Sequence, residues 1–264
     1  MSQTQARESA ELALVRWKKL ELLQEVYADF IPFLQDMMLD LGFKTDEIQE
    51  DIGDFLENGP QYLMVQAQRG QAKTTITAIF AIWCLIHAPH EVVLIVSAGD
   101  RQATEISQLI VQLIRTVDIL ECLRPDKQAG DRTSVEAFDI HHSLKGVNKS
   151  PSVQCMGITA NLQGARASLL IADDVESGKN SRTAVQRAQL MHITKDFTSI
   201  NSTGRIVYLG TPQSIESIYN TLPGRGFTVR VWPGRFPTAE QLPHYHETLA
   251  PMLAARLRED STLG

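Results

Sequence analysis

The chain has little of several features that would assign it to a specialised class of protein. Its three cysteines, Cys84, Cys122 and Cys155, are odd in number, lie among apolar residues and fit no metal-binding spacing. They predict reduced core thiols in a cytosolic protein rather than a disulfide framework. The longest apolar run, residues 76–86, is interrupted by Thr77 and is too short to cross a bilayer. The first residues lack the basic and then apolar pattern of a secretory signal, so we expect no membrane association.

Excess positive charge is also missing. The 264 residues carry a formal net charge of −6, with a pI near 5.7. This net negative charge excludes an overall positive surface that would attract nucleic acid. A DNA contact would therefore need a local cluster of positive side chains or another domain. Internal repeats and low-complexity segments are absent from the sequence. A hydrophobic content of 43% supports the core of one large α/β domain or of two small ones.

One loop organises the rest of the chain. The sequence QAQRGQAKTT at residues 66–75 follows an apolar run and precedes a long helical pattern. Strand, small-residue loop, Lys-Thr and helix is the order of a phosphate-binding loop, in which backbone N–H groups and the helix dipole hold an anion. Lys73 would reach the terminal phosphates, and the Thr74 hydroxyl would ligate Mg²⁺.

The loop lacks both glycines of the usual G-x-x-x-x-G-K-[ST] pattern, because Ala67 and Ala72 occupy those positions. Alanine tolerates a positive φ badly, but it is the smallest substitute and still allows close approach to a phosphate. An ordinary strand-to-helix turn is the alternative interpretation of this stretch.

A second motif, LLIADD at residues 169–174, is an apolar run that ends in two acids. Asp173 would hold Mg²⁺ through water, and Asp174 would orient or deprotonate the attacking water. A separate strand at residues 92–96 lies between the loop and the acids, and an intervening strand leaves room between them in the sheet. This arrangement predicts an α/β fold of the P-loop NTPase branch with an additional strand and a catalytic acid (ASCE). Its central sheet is mainly parallel, with helices on both faces.

Two further features indicate a nucleotide site only weakly when each is considered alone. The strand RIVYLG at residues 205–210 leads into Thr211, which places a hydroxyl at the same edge of the sheet, where ligands bind in open α/β folds. A plain strand exit explains it equally well. Gln49 lies in a helix upstream of the loop and has an amide that can pair with the adenine edge. A solvated helix glutamine is the alternative.

The region 124–152 is polar and rich in turns, and we interpret its cationic side chains as a basic surface loop that contacts a DNA backbone. They are His141, His142, Lys145 and Lys149. Metal binding by the two histidines is disfavoured, because neighbours in a strand point to opposite faces.

Four segments together resemble the ATPase domain of the large terminase subunit, the genome-packaging motor of tailed double-stranded DNA bacteriophages. They are RGQAKT at 69–74, GARA at 164–167, IADDVE at 171–176 and YLGTPQ at 208–213. The resemblance runs from about residue 49 to residue 252 and is strongest for the short-tailed lytic phages. It predicts an N-terminal helical appendage or lid at 1–44, an ATPase core at 45–232, and a linker helix at 233–264 toward a nuclease domain that this chain does not contain.

The resemblance implies an ATP- and Mg²⁺-dependent motor that drives double-stranded DNA into a procapsid. Its partners would be the portal and the small terminase subunit, in a pentameric ring in the host cell cytoplasm. Gln49 resembles the adenine-contacting position, Arg69 an arginine finger in cis, Arg166 one in trans, and Thr211 the coupling motif. Asp174 stands where many relatives have Glu. The ATP-binding residues would be Gln49, Ala67, Gln68, Arg69, Gly70, Gln71, Ala72, Lys73, Thr74 and Thr75.

Two other functions fit parts of this pattern. A non-catalytic nucleotide-binding module for assembly or regulation would use the loop without needing Asp174. A helicase-like DNA translocase would use the same motifs and also separate strands.

Overall fold

The computed structural model describes residues 3–160, 162, 164–201, 203–212 and 214–264, which are built around one β-sheet. Its strands are β1 (Tyr62–Ala67), β2 (Val93–Ser97), β3 (Ala137–Phe138), β4 (Val153–Gly157), β5 (Leu169–Asp173), β6 (Arg205–Leu209) and β7 (Thr228–Trp232). The strand order is β3-β4-β2-β5-β6-β1-β7. The short strand β3 is antiparallel to β4, and all other neighbouring pairs are parallel.

The parallel strands end at one level. Leu209 pairs with Val65 of β1 on one side and with Asp173 of β5 on the other, and Asp173 pairs with Ser97 of β2. The segments that follow these strands therefore emerge along one edge of the sheet. This is the edge at which ligands bind in open α/β sheets.

The strand between the loop strand β1 and the acid strand β5 is β6. The prediction that a strand intervenes is correct, but residues 92–96 are not that strand, because β2 lies on the far side of β5. Chain order and sheet order differ here since parallel strands need crossover connections. The predicted α/β fold of the ASCE type is confirmed.

Helices cover both faces of the sheet. They are α1 (Gln3–Val26), α2 (Phe30–Asp40), α3 (Glu47–Asn58), α4 (Lys73–His87), α5 (Asp100–Thr116), α6 (His142–Lys145), α7 (Ala184–Lys195), α8 (Phe197–Ile200), α9 (Leu242–Tyr245) and α10 (Pro251–Glu259). Successive strand residues point to opposite faces. Leu63 and Val65 accordingly join the core under α1–α5, while Met64 joins the core under α7 and α8.

The N-terminal helices share the first of these cores. Leu20, Phe30 and Phe33 are fully buried in the same cluster as the side chains of α4. The Trp83 indole N–H donates to the carbonyl oxygen of Tyr27 at 2.9 Å. The division at residue 44 stays a prediction. None of the helices in the described ranges combines the length and apolar character needed to cross a membrane.

Candidate nucleotide site

The loop between β1 and α4 has the shape of an anion cradle. Gly70 has a φ of 93°, and Ala72 adopts the left-handed conformation with φ 54° and ψ 20° immediately before α4 begins at Lys73. A left-handed non-glycine residue costs roughly 1–2 kcal/mol, so the fold tolerates strain at this position. The alanine therefore takes the conformation that the usual glycine would supply.

The first turn of α4 meets the end of β5. Lys73 and Asp173 are buried, with 7% and 8% of their surface exposed. The pKa of Asp173 is raised to about 7, chiefly by burial and next by the charge of the neighbouring Asp174. Lys73 and a hydrogen bond from the Thr74 hydroxyl act in the opposite direction on this pKa. The amine of the loop lysine and the two carboxylates predicted from separate motifs therefore lie together.

The two acids differ in environment. The Oδ1 atom of Asp173 is buried and has no hydrogen-bond partner among the described residues, and the same is true of Oε1 of Gln71. Asp174 is half-buried, has a φ of 42°, and donates its backbone N–H to the carbonyl oxygen of Leu209 at 2.8 Å. A buried, unpaired carboxylate oxygen beside a threonine hydroxyl is a suitable ligand set for a hard cation such as Mg²⁺.

A cavity of about 490 Å³ opens beside the loop. Its lining contains four loop-side positions, Gln66, Ala67, Gln68 and Arg69, together with Thr211, Val231, Trp232, Pro233, Gly234 and Tyr245. The structure therefore places Arg69 and Thr211 next to the loop, as the sequence predicts. Thr75 is half-buried within the first turn of α4. The aromatic lining from β7 and α9 has no counterpart in the sequence motifs.

Two predicted residues lie apart from this cavity. Arg166 lines a different cavity, together with Thr159 and Asp196. The Gln49 side chain is part of a capping box at the start of α3, in which its Oε1 accepts from the Asp46 backbone N–H at 3.1 Å. Among the described residues that line the loop cavity, Gln49 is not present.

The prediction of a basic surface loop is wrong for Lys145, which is buried and bonded to Asp139 at 2.5 Å. His142 and Lys149 are exposed, and His142 pairs with Asp131 at 3.3 Å, while His141 is half-buried. The two histidine rings stack at 4.2 Å at the start of α6, so they do not face opposite sides as strand neighbours would. No group of three or more His, Cys, Asp or Glu side chains that could hold a metal ion occurs in the part of the chain that the structure describes.

The sequence reasoning missed a group of buried residues behind the acids. Glu176, Ser217 and Tyr219 join the segment after Asp174 to the segment after Thr211. Burial raises the pKa of the Tyr219 phenol, and Asp174 and Glu176 nearby raise it further. No periodicity or spacing connects residues more than 40 positions apart, so only the folded chain reveals this group.

Comparison with known proteins finds a similar sequence in a bacteriophage. The chain is 36% identical over 239 residues to the large terminase subunit of Enterobacteria phage T3. This alignment covers 88% of the chain but 40% of the T3 protein, so the chain spans less than half of that relative. No model of a known protein family matches the chain.

Two solved structures are similar in outline. The large terminase of bacteriophage HK97 has a TM-score of 0.48 and 13% identity, with 83% of this chain and 47% of that chain covered. The ATPase domain of the Thermus phage P74-26 large terminase has a TM-score of 0.42 and 16% identity, with 84% and 88% covered. On the sequence match to the T3 protein, the predicted resemblance is confirmed, and the chain is a relative of the large terminase subunits of tailed bacteriophages.

Proposed function

We propose that this chain is the ATP-hydrolysing part of a viral DNA-packaging motor. The observation that supports the proposal is the meeting of Lys73 and Thr74, from the loop, with Asp173 and Asp174, from the end of β5. A strand-to-helix turn without a phosphate to bind has no need of a buried lysine facing two acids, since burying charges is costly.

The chemistry follows from the positions of these groups. The oxygen of a water molecule attacks the γ-phosphorus as the bond to the β–γ bridging oxygen breaks, and the proton of the water passes to Asp174. Lys73 and the N–H groups of the loop stabilise the negative charge that develops on the phosphoryl oxygens. Asp174 is half-buried at the edge of the sheet, which suits a group that must reach a water molecule.

Asp173 and the Thr74 hydroxyl would hold Mg²⁺. Their chemistry fits this ion, because the buried Oδ1 atom of Asp173 has no partner within the described residues. When bound, Mg²⁺ neutralises charge on the β- and γ-phosphate oxygens.

The cavity beside the loop would receive the base and ribose of ATP. Arg69 lines this cavity and would act as an arginine finger in cis, whereas Arg166 lies elsewhere and would act on the ATP of a neighbouring subunit. Thr211 would report the γ-phosphate state to the DNA-contacting surface. Gln49 would contact adenine only through the part of its amide that its capping box does not use.

The relative in phage T3 is a terminase, and the wider role is proposed on that basis. The parent protein would translocate double-stranded DNA into a procapsid in the host cytoplasm. It would work as a pentameric ring together with the portal and the small terminase subunit. Residues 45–232 would be the motor core, with residues 1–44 as an appendage and residues 233–264 as a linker.

Phosphate release by the purified chain tests the proposal. Lys73→Ala should lower the turnover number at least 100-fold, and Asp174→Asn should lower it by 10²–10⁴-fold, through loss of charge stabilisation and of the proton acceptor. Lys127→Ala and Glu240→Gln change exposed residues of the same types and should leave the rate unchanged. Equal background rates for the wild type and both site variants would instead identify a non-catalytic nucleotide-binding module.

A further inference from the structure

Tyr219 lies against the backbone that leads to Thr211. A Cβ atom added to Gly210 would lie 2.6 Å from Cζ of Tyr219 and 2.7 Å from its phenolic oxygen. Real Cβ atoms essentially never come within 3.0 Å of such neighbouring atoms, so glycine at position 210 makes room for the tyrosine ring. The exit of β6 is therefore in direct contact with this side chain.

The same side chain contacts the exit of β5. The phenolic oxygen of Tyr219 accepts a hydrogen bond from the backbone N–H of Glu176 at 3.2 Å, and 2% of the tyrosine is exposed. Glu176 is two residues beyond Asp174. The buried Tyr219 side chain thus contacts both the segment that follows Asp174 and the residue that precedes Thr211.

The carboxylate of Glu176 strengthens this connection. Its Oε2 atom accepts from the Ser217 hydroxyl at 2.8 Å and from the backbone N–H of Ile218 at 2.8 Å. Glu176 is buried, with 6% exposed. The carboxylate therefore fixes the segment that carries Tyr219, and both donors come from that segment.

Asp174 needs such support. Its φ of 42° is a left-handed conformation, and residues keep strained backbone angles only where the surroundings hold them. Its own N–H is bonded to Leu209. At the other end of the turn, the peptide group between Val175 and Glu176 accepts from the Asn180 side chain at 2.8 Å and donates to Tyr219 at 3.2 Å. The turn from Asp174 to Glu176 is thus held from both ends.

We propose that Tyr219 is a positioning residue that holds the turn at 174–176, orients Asp174 toward the attacking water, and couples this turn to Gly210 and Thr211. This inference rests on the proposed ATP hydrolysis. In this proposal the carboxylate of Glu176 fixes the segment that carries Tyr219 and does not take part in proton transfer, although it lies close to the two acids.

Tyr219→Phe tests the proposal by removing the phenolic oxygen while the ring stays on Gly210. Tyr208→Phe is a matched control, because Tyr208 is also fully buried and its ring packs edge-on against Tyr219 at 6.4 Å. Loss of one hydrogen bond should lower the turnover number about five- to tenfold in the Tyr219 variant, with the KM for ATP unchanged. The control should keep both values.

Amide hydrogen exchange gives a readout that does not depend on catalysis. Residues 174–176 should exchange about five- to tenfold faster in the Tyr219→Phe variant than in the Tyr208→Phe variant. Equal exchange in the two variants would overturn the proposal. If the wild type releases no phosphate, the proposed function fails, and this exchange comparison alone decides whether the link exists.

Glu176→Gln separates holding from proton transfer. A glutamine retains an oxygen that can accept from Ser217 and Ile218, so the rate should fall less than tenfold. A proton acceptor replaced by its amide should instead lose at least 100-fold, as expected for Asp174→Asn. A loss of that size in the Glu176 variant would make Glu176 itself the base and contradict the proposal.

Discussion

At the scale of single residues, Ala72 shows how the site keeps a glycine conformation without glycine. Its φ of 54° is strained for alanine, whereas the glycine at this position of an ordinary P-loop has no side chain to strain. The strain falls on the residue just before α4, where the N–H groups that we propose to bind phosphate begin. The fold therefore tolerates a loss of stability at the proposed binding loop.

Ala72→Gly should change the free energy of unfolding by less than about 0.5 kcal/mol. Relief of the left-handed strain in the folded state is offset by the larger entropy of the unfolded chain. Ala103→Gly is the matched control, since Ala103 is buried within the right-handed helix α5 and should lose at least about 1 kcal/mol. Urea denaturation checks both, and equal losses would show that Ala72 is unstrained.

Some residues of the site are predictable from sequence because their chemistry is local. Two recognisable elements carry these residues: α4 begins with Lys73 and Thr74, and β5 ends at Asp173, just before Asp174. A parallel sheet brings the start of α4 and the end of β5 to the same edge, so the residues converge there. Gln49 illustrates the limit, because a glutamine three residues after an aspartate is also a capping-box residue, and the folded chain uses it so. Which of two local roles a side chain takes depends on neighbours that the sequence does not identify.

At the scale of elements, the polar composition of the region between α5 and β4 predicts an exposed loop, but part of this region is buried. Asp139 accepts from the backbone N–H of Arg132 as well as from Lys145, and the pair is buried behind β3. A polar stretch that encloses its own ion pair has the same composition as an exposed loop. Burial of the pair is therefore a property of the fold that composition does not predict.

Lys145→Met should destabilise the protein by about 2 kcal/mol, because it removes the buried cation of Asp139 and leaves Arg132, whose Nη1 lies 3.3 Å from Oδ1 of Asp139, as the remaining partner. Lys149→Met removes a lysine of the same segment whose side chain is exposed, and should cost less than about 0.5 kcal/mol. Thermal or urea unfolding measures both. Similar small losses would mean that water reaches Asp139.

The order of strands is the other element-scale lesson. The apolar runs identify the strands, and the order of motifs indicates the ASCE branch. The pairing of β6 with both β1 and β5 is decided by crossover connections through α4, α5 and α7. Several crossovers are compatible with the same apolar runs, so the sequence predicts that a strand intervenes without identifying it.

At the scale of the whole molecule, the positions of the two arginines concern assembly. Arg69 lines the loop cavity of its own subunit, and Arg166 is exposed beside a separate cavity. An arginine finger contributes about 10³–10⁵-fold to the rate in related phosphoryl transfer. We propose that Arg166, which does not line the loop cavity of its own subunit, acts on the site of a neighbouring subunit.

A mixing experiment should distinguish these roles. Arg166→Ala should lose at least tenfold of the turnover of the assembled protein, and adding Lys73→Ala subunits should restore part of it, because they supply Arg166 to a neighbour. Mixing Arg69→Ala with Lys73→Ala should restore nothing, since Arg69 acts within its own subunit. No recovery in the Arg166 mixture would contradict the role of Arg166 in trans, and recovery in the Arg69 mixture would contradict the role of Arg69 in cis.

The placement of β6 has a mechanical consequence. Two strand spacings, roughly 9.6 Å, separate β1 from β5 at the level of Leu209. Backbone pairing along this edge therefore runs through a third strand. A triphosphate bound as proposed would lie across the end of β6 and contact both flanking strands. We therefore expect ATP binding to hold β1 and β5 in one relative twist, and product release to allow that twist to change.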